Sequence, residues 1–149
     1  MLAGFLDWQR AVVVRKVEGL TTSQASTTMT PTGLSPLNVV AHLAAVEVGW
    51  FVETFAGEPV DPAWDDRGAF RLRPDDTVDS VVAEYRSCCD RSRAIVDGAA
   101  SLDALAAENH EIFGHVSLRW ILVHMLEETA RHAGHLDIMR EAIDGQTGD

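Results

Sequence analysis

Apolar residues recur every three to four positions in four long stretches of the chain, which predicts four amphipathic helices. The expected helices cover residues 2–20, 36–56, 76–98 and 117–144. Ser35 and Ser117 are suitable capping residues for two of them, and Pro36 suits the first position of a helix. No alternating pattern of a β-strand and no repeat of 20–50 residues is present. The pattern therefore predicts an all-α fold.

The stretches between the predicted helices are polar or rich in turn-forming residues. Residues 21–36 are rich in Thr and Ser, residues 57–75 carry Pro and Asp, and residues 101–114 form a further connector. The connection 57–75 is too long for a simple turn and has room for short helical turns. A chain of 149 residues fits one domain with its own hydrophobic core. We therefore expect a single domain over 1–149, an up-and-down four-helix bundle with long connections.

The charge and the apolar content of the chain exclude several classes of partner. The formal net charge of −11 argues against nucleic acid or an anionic membrane, because both require clustered positive charge. The richest apolar stretch, residues 39–51, is too short to span a bilayer and contains His42 and Glu47. The first residues lack the features of an export signal. Adjacent cysteines such as Cys88 and Cys89 rarely form a disulfide. These features predict a cytoplasmic protein.

A glutamate and a histidine lie four positions apart on the last predicted helix. Glu128 and His132, in the run HMLEETARHAGH, interrupt an apolar stripe where leucine or valine would be expected. Residues at positions i and i+4 share a helix face, so both side chains can reach one point. A buried carboxylate without a partner costs on the order of several kcal/mol. The stripe therefore indicates a partner for Glu128: a cation, a protonated histidine or a metal.

His42, on the second predicted helix, is the candidate third member of this cluster. Its neighbours are apolar, and inward-pointing polar groups on two helices of a bundle are a known way of building a metal site. Two alternatives stay open: His42 as a hydrogen-bonded core residue, and Glu128–His132 as an ordinary helical pair worth ~0.3 kcal/mol. His110 and His115 fall in a connector and are expected to be exposed. The spacing alone does not exclude other ligands on the last helix, namely His124, Glu127 and His135.

The two segments around these residues resemble those of a known superfamily. They are SLRWILVHMLEETARHAGHLDIMREAIDG (117–145) and SPLNVVAHLAAVEVGWF (35–51). Both resemble actinobacterial members of the DinB/YfiT-like superfamily of metal-binding four-helix bundles. The glutamate at the middle position is similar to the metal-binding domain of mycothiol-dependent maleylpyruvate isomerase. The resemblance implies that the metal ligands are His42, Glu128 and His132.

The resemblance also implies a function, that of a metal-dependent thiol S-transferase. Two imidazoles and one carboxylate suit Zn²⁺ best and leave a coordination position open, although Ni²⁺, Mn²⁺ and Fe²⁺ accept the same donors. The metal would activate a low-molecular-weight thiol toward a small-molecule electrophile. All basic residues except Lys16 are arginines, and such a composition is common in proteins from GC-rich genomes. If it reflects an actinobacterial source, the resemblance implies mycothiol as the thiol. Cys88 and Cys89 are expected to be packing residues.

Two other functions remain consistent with the sequence. The chain could be a non-enzymatic metal or small-molecule binding protein of the stress-linked DinB type, which requires only that a metal is retained. It could also be a structural or interaction domain whose site has decayed, which predicts no metal. The resemblance and the four tryptophans favour a homodimer. Three arginines are candidates for steering an anionic substrate, namely Arg119, Arg131 and Arg140.

Overall fold

Four long helices form where the apolar periodicity predicts them. The computed structural model describes residues 1–148; Asp149, the last residue of the expected domain, lies outside them. The long helices are α1 (Leu2–Val17), α3 (Pro36–Glu47), α5 (Val78–Gly98) and α6 (Leu118–Asp144). Short helices α2 (Thr22–Ala25) and α4 (Ala63–Gly68) lie in the connections, and a π-helical segment, Val48–Phe55, continues α3. The predicted all-α helical bundle is confirmed.

Side-chain caps set the beginning of three long helices. Ser35, Thr77 and Ser117 each accept a hydrogen bond from a backbone N–H of the following first turn. Pro36 occupies the first turn of α3, where its missing N–H is not needed. Gly145 follows the end of α6 with φ 77°, a left-handed conformation that glycine adopts without steric cost. The capping signals in the sequence therefore correspond to real helix ends.

Two helices depart from their expected bounds by more than two residues, whereas α5 and α6 begin within two residues of the expected positions. α1 ends at Val17, before the predicted end at residue 20, and Gly19 then adopts φ 82°. The helix expected over 36–56 is α-helical only to Glu47, and Val48–Phe55 is π-helical. A π-helix has hydrogen bonds from residue i to residue i+5, and the spacing of apolar residues does not reveal this local widening.

Contacts near both ends show that α1 and α6 run in the same direction. At the start of both helices, Leu6 and Leu118 belong to one apolar cluster. Toward the end of both, the ammonium group of Lys16 pairs with the carboxylate of Asp137 at 2.5 Å. The two helices are thus parallel neighbours.

The other two long helices run in the opposite direction. α3, continued by the π-helical segment, is antiparallel to α6, as shown by the contacts His42–Glu128 and Trp50–Trp120. α5 is antiparallel to α1, as shown by the ion pairs Asp7–Arg93 and Glu18–Arg86. The order up, down, down, up departs from the strict alternation of the expected bundle. The physical reason is the connection 57–75, which carries the chain back along the bundle before α5 begins.

A buried ion pair joins α1 to α3. Arg10 and Glu47 are 5% and 1% exposed, and hydrogen bonds of 2.7 and 2.6 Å join the guanidinium to the carboxylate. Each charge is compensated by the other, which burial requires. Among residues 1–148, no helix has the length and apolar content needed to cross a membrane.

Candidate metal centre

Three side chains that the sequence singles out meet between α3 and α6. One possible ligand atom from each of His42, Glu128 and His132 lies within 4.8 Å of the others. The Oε1 atom of Glu128 is 3.6 Å from Nε2 of His42 and 3.2 Å from Nε2 of His132. The structure therefore brings together the ligand set that the resemblance implies.

The local helix geometry explains this convergence. Glu128 and His132 are one turn apart on α6, so they project from the same face. His42 reaches them from α3, which crosses that face in the opposite direction. The side chains of His42 and Glu128 are 13% and 15% exposed, whereas that of His132 is 7% exposed. The cluster thus lies at the edge of the core, within reach of solvent.

The imidazole of His42 is held on its far side by the last residue of α4 and by the connection that follows it. Its Nδ1 atom lies 2.9 Å from the carbonyl oxygen of Gly68. A carbonyl oxygen only accepts hydrogen bonds, so Nδ1 carries the proton and Nε2 presents its lone pair toward Glu128. The ring of Phe70 stacks on the imidazole, with centroids 3.9 Å apart and planes 10° apart. Gly68 and Phe70 were missed in the sequence because nothing in the connection marks them as neighbours of His42.

His135 contacts the cluster through His132. The two Nδ1 atoms are 3.3 Å apart, so one of them donates and the other accepts. If the proton lies on Nδ1 of His132, its Nε2 atom presents a lone pair toward Glu128. His135 thus contacts His132 from the edge of the cluster and is not one of the three converging side chains.

The electrostatic environment favours a charged Glu128 and a neutral His132. Burial alone would raise the pKa of the Glu128 carboxyl, but His132, Arg131 and His42 outweigh it and lower this pKa. Burial, followed by the nearby His42, lowers the pKa of His132 despite the attraction of Glu128. A carboxylate and neutral imidazoles are the forms that bind a divalent metal, so the residues present fit such an ion.

His124 lies in an aromatic cluster rather than with the three converging side chains. Its ring stacks on Trp120, with centroids 5.1 Å apart, and meets Trp50 edge-on at 4.8 Å. His110, which was expected to be exposed, is half-buried and stacks on Trp50 at 4.7 Å. That expectation was wrong because the connector folds back over the π-helical segment. His115 is exposed, as expected.

The three arginines proposed for steering a substrate occupy different environments. Arg131 donates a 2.9 Å hydrogen bond to Oε2 of Glu128 and therefore touches the cluster. Arg140 is buried, and its guanidinium donates hydrogen bonds to the backbone carbonyl groups of Lys16, in the last turn of α1, and of Glu18, just after it. Arg119 pairs with Asp103 at the start of α6. Only Arg131 is placed to act at the site.

The two cysteines are packed inside the bundle. Cys88 and Cys89 are 8% and 3% exposed and belong to the main apolar cluster. Burial raises the pKa of Cys88 to about 12 and raises that of Cys89 further. Neither thiol has the exposed, electropositive surroundings of a reactive cysteine. The expectation that they are packing residues agrees with this environment.

Comparison with known proteins gives a family for the chain. A family model described as mycothiol-S-transferase matches residues 1–145, nearly the whole sequence. No curated protein matches the chain. The family is DinB/YfiT-like, in agreement with the resemblance seen in the two helical segments. With its helical bundle and its converging histidine and glutamate side chains, the chain belongs to the mycothiol-S-transferase family.

Proposed function

We propose that this protein is a metal-dependent thiol S-transferase whose metal is held by His42, Glu128 and His132. One observation carries the proposal: two imidazoles and a carboxylate converge on one point in a chain of the mycothiol-S-transferase family. The low-molecular-weight thiol is mycothiol, and the second substrate is a small electrophile. Zn²⁺ is the metal that suits this donor set best, and Ni²⁺, Mn²⁺ and Fe²⁺ are the alternatives.

The side chains around the proposed metal have different roles. Two of the protein ligands are held by partners, since Gly68 fixes the imidazole of His42 and His135 contacts that of His132. Glu128 supplies the negative charge of the ligand set. A divalent metal held by these three side chains would act as a Lewis acid and lower the pKa of a thiol. Arg131, which is about half exposed beside Glu128, is placed to attract an anionic group of a substrate.

The overall reaction forms a bond between sulfur and carbon. The thiol loses its proton to solvent, and the sulfur forms a bond to the electrophilic carbon. A leaving group then departs with the pair of electrons that held it. The protein needs no nucleophile of its own for this chemistry, which agrees with the burial of Cys88 and Cys89.

Metal analysis of matched variants tests the proposal. We expect near-stoichiometric Zn²⁺ or Ni²⁺ in the wild-type protein, measured by elemental mass spectrometry after purification without added metal. Glu128→Gln keeps the size of the side chain but removes its charge, and should lose the metal. Glu127→Gln is the control for metal content, because Glu127 is exposed and is not one of the three converging side chains. A wild-type protein that neither contains nor takes up metal would rule out the proposal.

A thiol-conjugation assay separates the transferase from a binding protein. The metal-loaded transferase should consume a test electrophile only when mycothiol is present, and Glu128→Gln should lose this activity. A protein that retains metal but consumes no electrophile with any thiol would be a non-enzymatic binder of metal or small molecules.

We also propose a homodimer in the cytoplasm, and sedimentation velocity would test the dimer directly.

A further inference from the structure

We propose that Phe70 is a positioning residue that holds His42 in the orientation needed to bind the metal. This inference rests on the proposed function, because it assigns a role toward one of the three ligands. The contacts of the loop that follows α4 carry it.

Phe70 covers one face of the His42 imidazole. The two ring planes are almost parallel, at an angle of 10°, and their centroids are 3.9 Å apart. The same phenyl ring lies 5.8 Å from the ring of His132. A stacked ring at this distance blocks rotation of the imidazole about its Cβ–Cγ bond. Phe70 therefore keeps Nδ1 at the Gly68 carbonyl and Nε2 at Glu128.

The backbone of Phe70 shows that this placement is enforced. Phe70 has φ 61° and is the only residue other than glycine with a positive φ among residues 1–148. A side chain with a Cβ atom is disfavoured in this region, and such conformations persist only where the surroundings impose them. Strain of this kind is concentrated at functional sites. Here it directs a phenyl ring onto a metal-ligand candidate.

A buried arginine anchors the loop that carries Phe70. Arg67, three residues earlier, is 1% exposed. Its guanidinium donates a 2.8 Å hydrogen bond to Asp76 and lies 2.9 Å from a carboxylate oxygen of Glu84 on α5. The loop is thus tied to α5 on one side and to His42 on the other. This attachment explains how the strained backbone of Phe70 is maintained.

The test compares three substitutions of Phe70. Phe70→Gly removes the ring, which packs against the main apolar cluster, and also removes the backbone strain, which offsets part of the stability lost with the ring. Phe70→Tyr keeps the stacked ring. Phe70→Leu keeps apolar volume without the aromatic face, and serves if the glycine variant does not fold. Phe113→Ala is the matched control, because Phe113 belongs to the separate aromatic cluster around Trp50 and does not contact His42.

Zinc affinity is the main readout, measured by competition with a chromogenic chelator. We expect the dissociation constant of Phe70→Gly to rise roughly 10- to 100-fold, the range found when a supporting partner of a metal ligand is removed. Phe70→Tyr and Phe113→Ala should match the wild type. The melting temperature of each metal-free variant confirms that it is folded.

A second readout does not depend on metal. The ¹⁵N chemical shifts of His42 in the metal-free protein should show one tautomer, with the proton on Nδ1, and a mixture in Phe70→Gly. Equal zinc affinity and an unchanged tautomer in Phe70→Gly would overturn the inference and leave the proposed function intact. If the wild type binds none of Zn²⁺, Ni²⁺, Mn²⁺ and Fe²⁺, the proposed function fails, and the tautomer of His42 alone decides the inference.

Discussion

Each polar atom of the His42 side chain faces a specific neighbour. The Gly68 carbonyl lies at Nδ1, the Glu128 carboxylate lies near Nε2, and Phe70 covers a ring face. At this scale the sequence predicts that Glu128 and His132 project from the same face of one helix, because residues at positions i and i+4 are one turn apart. It does not predict Gly68 or Phe70. Their contacts with His42 depend on the path of a connection, which no local periodicity describes.

The first prediction concerns the reactivity of the cysteines. With its pKa raised to about 12, the thiol of Cys88 is ionised in only about one molecule in ten thousand at pH 8, against about a quarter for a free thiol. Iodoacetamide at pH 8 should therefore label Cys88 and Cys89 very slowly in the folded protein and rapidly in urea, as measured by mass spectrometry. Fast labelling of the folded protein would contradict the packing role.

At the scale of single elements, α3 combines the proposed ligand His42 with a structural attachment. Glu47, five positions after His42, is tied to Arg10 of α1 by the buried ion pair. The helix then widens into the π-helical segment that carries Trp50. The sequence marks the start of α3 clearly through Ser35 and Pro36. The sequence does not predict the π-helical segment, because a continuous apolar run does not distinguish i+4 from i+5 hydrogen bonding.

The second prediction concerns the buried ion pair. Arg10→Met leaves the Glu47 carboxylate buried without a partner and should lower the free energy of unfolding by about 3 kcal/mol or more. The double variant Arg10→Met, Glu47→Leu should recover most of this loss, since no charge remains buried. Urea unfolding of the metal-free protein measures both effects.

A matched surface variant gives the control for this experiment. Arg93 pairs with Asp7, also of α1, but its side chain is 40% exposed. Arg93→Met should therefore cost only about 1 kcal/mol or less. A double variant at positions 10 and 47 that is no more stable than Arg10→Met would show that the loss comes from packing rather than from an unpaired charge.

At the scale of the whole molecule, the directions of the helices determine which residues can meet. The bundle follows from the apolar periodicity of four segments, and the sequence predicts it. The parallel course of α3 and α5 does not follow from periodicity, because it depends on the path of the connection 57–75. The same path places Arg67 next to Glu84 of α5 and places Phe70 against the ring of His42. Helix directions and site contacts therefore share a single cause.

The third prediction concerns stability in acid. Burial alone would raise the pKa of Asp76, but its hydrogen bonds with Arg67 and Arg73 lower it. Because the folded pKa lies below the unfolded value of about 3.9, this carboxylate stabilises the protein above about pH 4. The contribution is lost as the pH falls through the folded pKa. The melting temperature of the metal-free protein should therefore drop as the pH falls below about 4.

Two variants assign this effect to Asp76. Asp76→Asn should lower the free energy of unfolding by about 2 kcal/mol at pH 7, because the buried Arg67 loses a charged partner. It should also make the melting temperature less dependent on pH below about 4. Asp103→Asn is the control, because the side chain of Asp103 is 75% exposed in its pair with Arg119. A slope in acid that is unchanged in Asp76→Asn would refute the assignment.

The separation of the candidate ligands along the chain has a consequence for the order of folding. His42 and Glu128 are 86 positions apart. Closing a flexible segment of that length has an entropy cost on the order of 4 kcal/mol, so the three side chains cannot meet until α3 and α6 have docked. We therefore expect the cluster to form late in folding and not to nucleate it. An ion bound there should slow unfolding and leave the rate of folding unchanged.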